Sequence, residues 1–291
     1  MIITVTCNPA IDQTVSKNGT VFDIGGKGIN VSKALKNMGC ESLCTGLIGK
    51  ENKDIILNGL DDLAIPHHFI EIDGKVRTNL KKVVDGELYE ENQPGPDLAK
   101  EDVEKLFDYL GGLKNEIVVI SGSAPANSEN DLYRRMTEQL KRNGNTVILD
   151  CSGRKLQEGV KVFPYAIKPN YKEICELFGK ELKEEALINA CIGLDIPLIV
   201  ISLGKEGALF IKDRQAYRCP AVQTEVVSPL GAGDSMVAAI AYAIQNGLNL
   251  EETITLVMAS AAASVSSPGS SAPSFQSILG LRKKVVIEKI R

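Results

Sequence analysis

A three-layer α/β fold is what this 291-residue sequence predicts: a mostly parallel central sheet between helices, with a small separate β-sheet beside it. Three observations carry the prediction. Short continuous apolar runs recur along the chain, as strands buried on both faces require. Helix-patterned segments alternate with those runs, which is the signature of parallel strands joined by crossover helices. Two further stretches alternate in the strand manner and do not follow the strand–helix alternation, so they read as a separate sheet.

The strands are predicted at 2–6 (IITVT), 43–48 (LCTGLI), 117–121 (IVVIS), 146–150 (TVILD) and 198–202 (LIVIS). The helices are predicted at 29–38, 53–63, 100–110, 130–143, 171–178, 183–191, 235–246, 251–264 and 276–288. The alternating stretches, 13–24 and 68–92, form the expected small sheet, placed as a lid over the carboxyl ends of the large one. The large α/β domain then comprises 1–12, 25–67 and 93–291.

Composition narrows the function. A hydrophobic share of 44% with 24% charged residues is that of a globular domain, and a net charge of −4 gives no basic face for nucleic acid. No apolar run reaches membrane-spanning length, and the N-terminus MIITVTCNP has no signal-peptide pattern. Seven dispersed cysteines, an odd number without a CxxC pair, read as reduced thiols of a cytoplasmic protein. The two histidines, His67 and His68, are adjacent and project to opposite sides of a strand, which argues against a histidine metal site or triad.

Polar residues collect where strands end: Asn8 to Asp12, Gly122-Ser123, Cys151 to Gly153 and Ser202 to Gly204. Several such endings along one sheet edge predict a polar cleft. Two glycine-rich helix starts add anion-binding capacity. One is IGGKGINVSKAL (24–35), with Gly25, Gly26, Lys27 and Asn30; the other is SPLGAGDSMV (228–237), with Gly231, Ala232, Gly233 and Asp234. Asp234 beside such a cradle is either a helix-start acid or a base working next to a bound anion. Arg77 lies in the small sheet, and KPNYKE (168–173) brings Lys168, Asn170 and Glu173 to another helix start. Neither GxxxxGK[ST] nor GxGxxG occurs, which disfavours a P-loop and a dinucleotide-dependent oxidoreductase.

In order along the chain stand NPAID (8–12), GGKGINVS (25–32), RTN (77–79), PGP (94–96), SGS (121–123), KPNYKE (168–173), SLGKEGA (202–208) and GAGDSM (231–236). On these motifs the sequence resembles the PfkB (ribokinase-like) carbohydrate kinases from residue 1 to about 275, and most of all their phosphosugar branch, the 1-phosphofructokinases and tagatose-6-phosphate kinases. The resemblance implies an ATP- and Mg²⁺-dependent kinase acting on a phosphosugar. It implies Asp234 as the base, with the Gly231, Ala232 and Gly233 amides as an anion hole. It implies that Asp12, Asn30 and the Gly25-Gly26 backbone hold sugar hydroxyls, and that Lys27, Arg77 and Ser123 grip the phosphate already on the sugar. Lys168, Asn170, Ser202, Gly204 and Gly207 then line ATP, Glu173 organises Mg²⁺ through water, and the loop 259–270 borders the adenine. A homodimer through the lid is implied too. The expected reaction is fructose 1-phosphate to fructose 1,6-bisphosphate. The alternatives are tagatose 6-phosphate or fructose 6-phosphate as substrate, and a non-catalytic sugar-phosphate sensor. The segment from Gln13 to Ile24 is shorter than the family pattern, so the lid is trimmed or lacks residues.

Overall fold

The structure is a computed structural model that describes residues 1–16, 19–84, 87–267 and 272–291. Its strands run in chain order as β1 (Ile2–Thr6), β2 (Ala10–Ser16), β3 (Gly19–Gly25), β4 (Ser42–Glu51), β5 (His67–Lys75), β6 (Arg77–Val84) and β7 (Glu87–Asn92), then β8 (Ile117–Ser121), β9 (Thr146–Asp150), β10 (Ala166–Ile167), β11 (Leu198–Ser202), β12 (Ala208–Lys212), β13 (Gln215–Cys219) and β14 (Glu288–Lys289). The helices are α1 (Lys27–Asn37), α2 (Lys53–Asp62), α3 (Lys100–Gly111), α4 (Leu132–Arg142), α5 (Gly153–Gly159), α6 (Tyr171–Phe178), α7 (Glu184–Ile192), α8 (Ala232–Gln245), α9 (Leu250–Val265) and α10 (Phe275–Leu281).

Among the described residues, one sheet has the order β14-β13-β12-β11-β10-β9-β8-β1-β4-β5 and a second has the order β3-β2-β6-β7. From β11 to β5 every pairing in the large sheet is parallel; β12, β13 and β14 add antiparallel strands at one edge. The continuous apolar runs are explained by what covers each face. Ile3, Val5, Val118, Ile120, Val147, Leu149, Ile199 and Ile201 pack against α3 to α7. The intervening Ile2, Val119, Ile148, Leu198 and Val200 pack against α1, α8, α9 and α10. Successive side chains of a strand point to opposite faces, so a strand covered on both sides must be apolar throughout. A third cluster, with Ile11, Ile24, Ile29, Ile56 and Leu60, joins the root of the small sheet to α1 and α2.

The structure corrects the expected domain division in two places. The stretch 68–92 does not all belong to the lid: β5 pairs in parallel with β4, so 68–75 is the last strand of the large sheet. Alternation signals one open face, and an edge strand has that as much as a lid strand does. The lid also begins earlier and ends later than 13–24, since β2 and β3 pair from Ala10↔Gly25 onward. Residues 17–18 and 85–86 of the two expected lid segments lie outside the described residues.

At the C-terminus, α10 stops at Leu281, short of the expected 288, and Glu288 and Lys289 pair with Arg218 and Tyr217. The β-branched run Val285-Val286-Ile287 favours that extended path over more helix. The β12–β13 hairpin went unpredicted because its turn is Asp213-Arg214, both at positive φ (51° and 62°), and not a glycine pair. All seven cysteines are buried and free, and no described helix is long and apolar enough to cross a membrane.

Candidate active site

The carboxyl ends of β8, β9, β10 and β11 lie side by side because these strands are parallel neighbours, and each ends on a polar residue or is followed at once by one. Ser121 and Asp150 end β8 and β9 in register, and the Ser121 hydroxyl donates to Asp150 Oδ2 at 2.9 Å. Lys168 follows β10 directly. Its Nζ lies 3.5 Å from Asp150 Oδ1, while Lys27 Nζ, from the first turn of α1, donates to Asp150 Oδ2 at 3.3 Å. Burial pushes the Asp150 carboxyl up, but Lys168, Lys27 and Ser121 outweigh it and hold the group below its ordinary value. Asp150 in turn holds the Lys27 ammonium well above its usual range.

Helix α8 aims its N-terminus at this cluster. Gly231 caps it in the left-handed region (φ 79°), which glycine adopts without strain. Ser235 N–H makes the first i→i−4 bond, to Gly231 O, so the amides of Ala232, Gly233 and Asp234 have no partner within the helix. Lys168 Nζ sits close by, 3.3 Å from where a Cβ on Gly233 would stand. Asp234 itself is buried, and Asn30 Nδ2 donates to its Oδ2 at 2.8 Å. Burial pushes the Asp234 carboxyl up to about 6, and the charge of Asp150 adds to that; Lys27, the Asn30 hydrogen bond and Lys168 pull the other way. Asn30 Oδ1 is buried without a hydrogen bond, an acceptor left unused beside this carboxylate's partner amide.

The lid gathers a second set of polar groups. Asp12 on β2 lies across from Asn79 on β6, whose Nδ2 donates to Asp12 Oδ1 at 2.8 Å. Gly25 packs directly on that carboxylate: a Cβ there would come within 2.8 Å of the Asp12 carboxyl atoms. Arg77 Nε donates to Asn8 O at 3.2 Å, and Asn8 Nδ2 donates to Pro94 O at 2.9 Å. Partial burial lowers the Arg77 guanidinium from its ordinary value, against the pull of Asp12. Ser123 stands exposed just beyond β8, and Ser121 is the serine that reaches the charged cluster.

A cavity of about 510 Å³ opens on the other side of the α8 N-terminus. Ala232 and Gly233 form one rim; Asn170, Ser202, Gly204 and Gly207 form another. Met258, Ala262 and Val265 of α9 give it an apolar wall, together with the irregular segment Ala221–Val226. Within the expected loop 259–270, residues 268–270 lie outside the described residues. Asn170 and Glu173 form a reciprocal cap on α6: Glu173 N–H donates to Asn170 Oδ1, and Asn170 N–H to Glu173 Oε2, both at 2.8 Å. Among the described residues no group of three or more His, Cys, Asp or Glu is placed to hold a metal ion by itself.

Thus the structure brings together Asp234, Asn30, Lys27, Lys168 and the 231–233 turn, and groups Asp12 with Gly25 at the lid. Sequence reasoning missed Asp150, Ser121 and Asn79. Asp150 and Ser121 close apolar strands and were read as strand ends; Asn79 is the third residue of the RTN motif, and its place opposite Asp12 depends on the β2–β6 register. The segment 221–226 carries no sequence signal of its own.

Comparison with known proteins identifies the family and the fold. Residues 1–277 match the pfkB family carbohydrate kinase model. A 1-phosphofructokinase of Borreliella burgdorferi is 35% identical over 289 residues, 90% of this chain and 91% of that protein. The potassium complex of Escherichia coli phosphofructokinase-2 superposes with a TM-score of 0.91 at 25% identity, covering 97% of this chain and 98% of that one. The fructose-6-phosphate complex of the same enzyme gives 0.89 at 25% identity over the same shares. The protein is a phosphofructokinase-type sugar kinase, a phosphotransferase with an alcohol acceptor, and the chain belongs to the pfkB family of carbohydrate kinases.

Proposed function

We propose that the protein transfers the γ-phosphoryl group of ATP to the free 6-hydroxyl of D-fructose 1-phosphate, giving fructose 1,6-bisphosphate. The observation that carries the chemistry is Asp234: a buried carboxylate with its pKa near 6, held by Asn30, at the mouth of a helix whose first amides are unpaired. As the sugar oxygen attacks phosphorus, its proton passes to Asp234, the bond to the β-phosphate oxygen breaks and ADP leaves. The first-turn amides of α8, next to Gly231, Ala232 and Gly233, with Lys168 beside them, stabilise the charge on the transferring group.

Asp12, Asn30 and the Gly25-Gly26 backbone orient the sugar hydroxyls. Lys27, Arg77 and Ser123 bind the 1-phosphate, a role suited to charge-assisted donors. The cavity beyond α8 takes ATP, with Lys168, Asn170, Ser202, Gly204 and Gly207 along its phosphates and ribose and the α9 wall against the base. Mg²⁺ fits the donor set only in company with the nucleotide: Glu173 commits Oε2 to its helix cap and keeps Oε1 for a metal-bound water. When bound, Mg²⁺ supplies charge neutralisation on the phosphates. The exposed Val21 and Phe22 on β3 support a homodimer formed through the lid.

The choice of fructose 1-phosphate rests on the 1-phosphofructokinase relative. The fructose-6-phosphate complex of the Escherichia coli enzyme favours a second reading, phosphorylation of fructose 6-phosphate at its 1-hydroxyl. Comparing kcat/KM for fructose 1-phosphate, fructose 6-phosphate and tagatose 6-phosphate with Mg-ATP separates them. A tenfold lead corresponds to about 1.4 kcal/mol of transition-state discrimination. Such a lead for fructose 1-phosphate is expected; a lead for either other sugar overturns the assignment.

A further inference from the structure

Asp150 takes no part in the chemistry just described, yet it is 1% exposed and touches both sides of the site. Its two oxygens face different lysines. Lys27 Nζ lies 3.3 Å from Oδ2, and Lys168 Nζ lies 3.5 Å from Oδ1. Ser121, locked opposite Asp150 in the parallel register, donates to Oδ2 and fixes the plane of the carboxylate. Oδ1 has no hydrogen bond, so its side of the group is held by charge alone.

Resting on the reading above, we propose that Asp150 is a positioning residue: one buried carboxylate holds Lys27 and Lys168 a fixed span apart, the first toward the sugar phosphate and the second toward the nucleotide. Two ammonium groups around one small space repel each other, and repulsion grows as water is excluded. Lys168 is 5% exposed, and a cation so buried is strongly unfavourable without a counter-charge. Binding each lysine through a separate oxygen leaves the remaining donors of both pointing into the site. Sheet geometry fixes one end of the span, because Asp150 and Ser121 close adjacent strands and Lys168 follows the next, while the start of α1 brings Lys27 to the other end.

The groups facing this carboxylate come from every element packed on it: Lys27 from α1, Ser121 from β8, Lys168 after β10, Asp234 from α8, Tyr133 from α4 and the adjoining Cys151; Glu173 of α6 acts on Lys27. Asp150 therefore also disfavours the ionised form of Asp234. This gives the proposal a signature that a merely structural residue lacks.

The test is Asp150→Asn, which keeps size and the Ser121 contact but removes the charge, assayed over pH against wild type, Lys27→Ala and Lys168→Ala. Each lysine variant is expected to raise KM for its own substrate. Asp150→Asn is expected to raise both KM values together, about tenfold each. It is also expected to move the acid limb of kcat to lower pH by about half a unit or more, since Asp234 ionises more easily without a neighbouring anion. Movement of one KM alone, a fall in either KM, or an unmoved acid limb overturns the anchor. Ser121→Ala provides a milder check that survives if Asp150→Asn does not fold. It keeps the charge, so the limb stays while both KM values rise about two- to fivefold; unequal or absent KM changes again overturn the anchor. Wild-type protein inactive on every phosphosugar overturns the kinase-site reading and the anchor with it, whereas active wild type with unaltered variants overturns the anchor alone.

Discussion

At the floor of the site, Asp150 and Lys168 at strand ends of the large sheet and Asp234 in the first turn of α8 are 1%, 5% and 9% exposed; on the outer strand β3 of the small sheet, Val21 and Phe22 are 66% and 62% exposed. The floor of the site is thus a set of charges buried in a doubly covered sheet. The lid is a thin sheet whose root, at Ile11 and Ile24, packs into a buried cluster with α1 and α2, while Val21 and Phe22 farther along β3 are exposed. The difference assigns different work to each. Charges whose spacing matters for phosphoryl transfer sit on strand ends that packing holds still from both sides. The lid contributes polar contacts, Asp12, Asn79 and Arg77, on a frame that one face of contacts anchors. Substitution of the floor's base should therefore alter kcat and its pH dependence, substitution of the floor's charged anchor should move both KM values together, and a lid substitution should alter sugar affinity and association alone.

The largest expected effect tests the floor. Asp234→Asn retains shape but cannot accept the proton, and kcat is expected to fall on the order of 10²–10⁴-fold, with the affinity for either substrate little changed. Wild-type turnover in that variant would end the assignment of the base. The same residue sets a pH profile. Asp234 works only ionised and titrates at about 6, so kcat should fall roughly tenfold per pH unit below that value. A profile flat down to pH 4.5 would show that the reaction does not depend on this carboxylate.

Stability should move the opposite way. A carboxyl whose pKa is raised on folding favours the folded state least when ionised, so the penalty is absent below about pH 4 and complete above about pH 6. A shift from 3.8 to about 6 corresponds to on the order of 3 kcal/mol. Asp234→Asn should therefore melt higher than wild type at pH 7.5, with the gap closing as the pH is lowered to 4. A variant that melts lower at both pH values contradicts the balance of forces at the floor.

Lid substitutions should have smaller effects of another kind. Arg77→Ala is expected to raise KM for the phosphosugar about tenfold while leaving that for ATP nearly unchanged. If both rise together, Arg77 supports the lid through Asn8 and Gln93, to whose carbonyls its guanidinium donates, and not the sugar phosphate. The smallest change in turnover belongs to Phe22→Asp, placed on the outer strand. It should convert a lid-paired dimer to monomer in light scattering while the folded core is unaffected. Unchanged mass would place any self-association elsewhere.

What the sequence determined by itself was local. Continuous apolar runs marked strands covered on both faces, and glycine-rich helix starts marked anion-binding turns. α6 follows its predicted span of 171–178, and Asp234 stands in the first turn of α8 where the glycines before it indicated. The tertiary structure decided whatever depends on which strand lies next to which. Residues 68–75 alternate as a lid strand does, yet parallel pairing with β4 gives them to the large sheet. Asn79 meets Asp12 only because β6 runs parallel to β2 in one register. Asp150 reads as the last residue of an apolar strand until Ser121, Lys168 and Lys27, up to 123 positions away, close around it. A sequence records the chemistry and period of each segment, while a buried charge gains its meaning from partners that only the folded chain brings within a few ångströms.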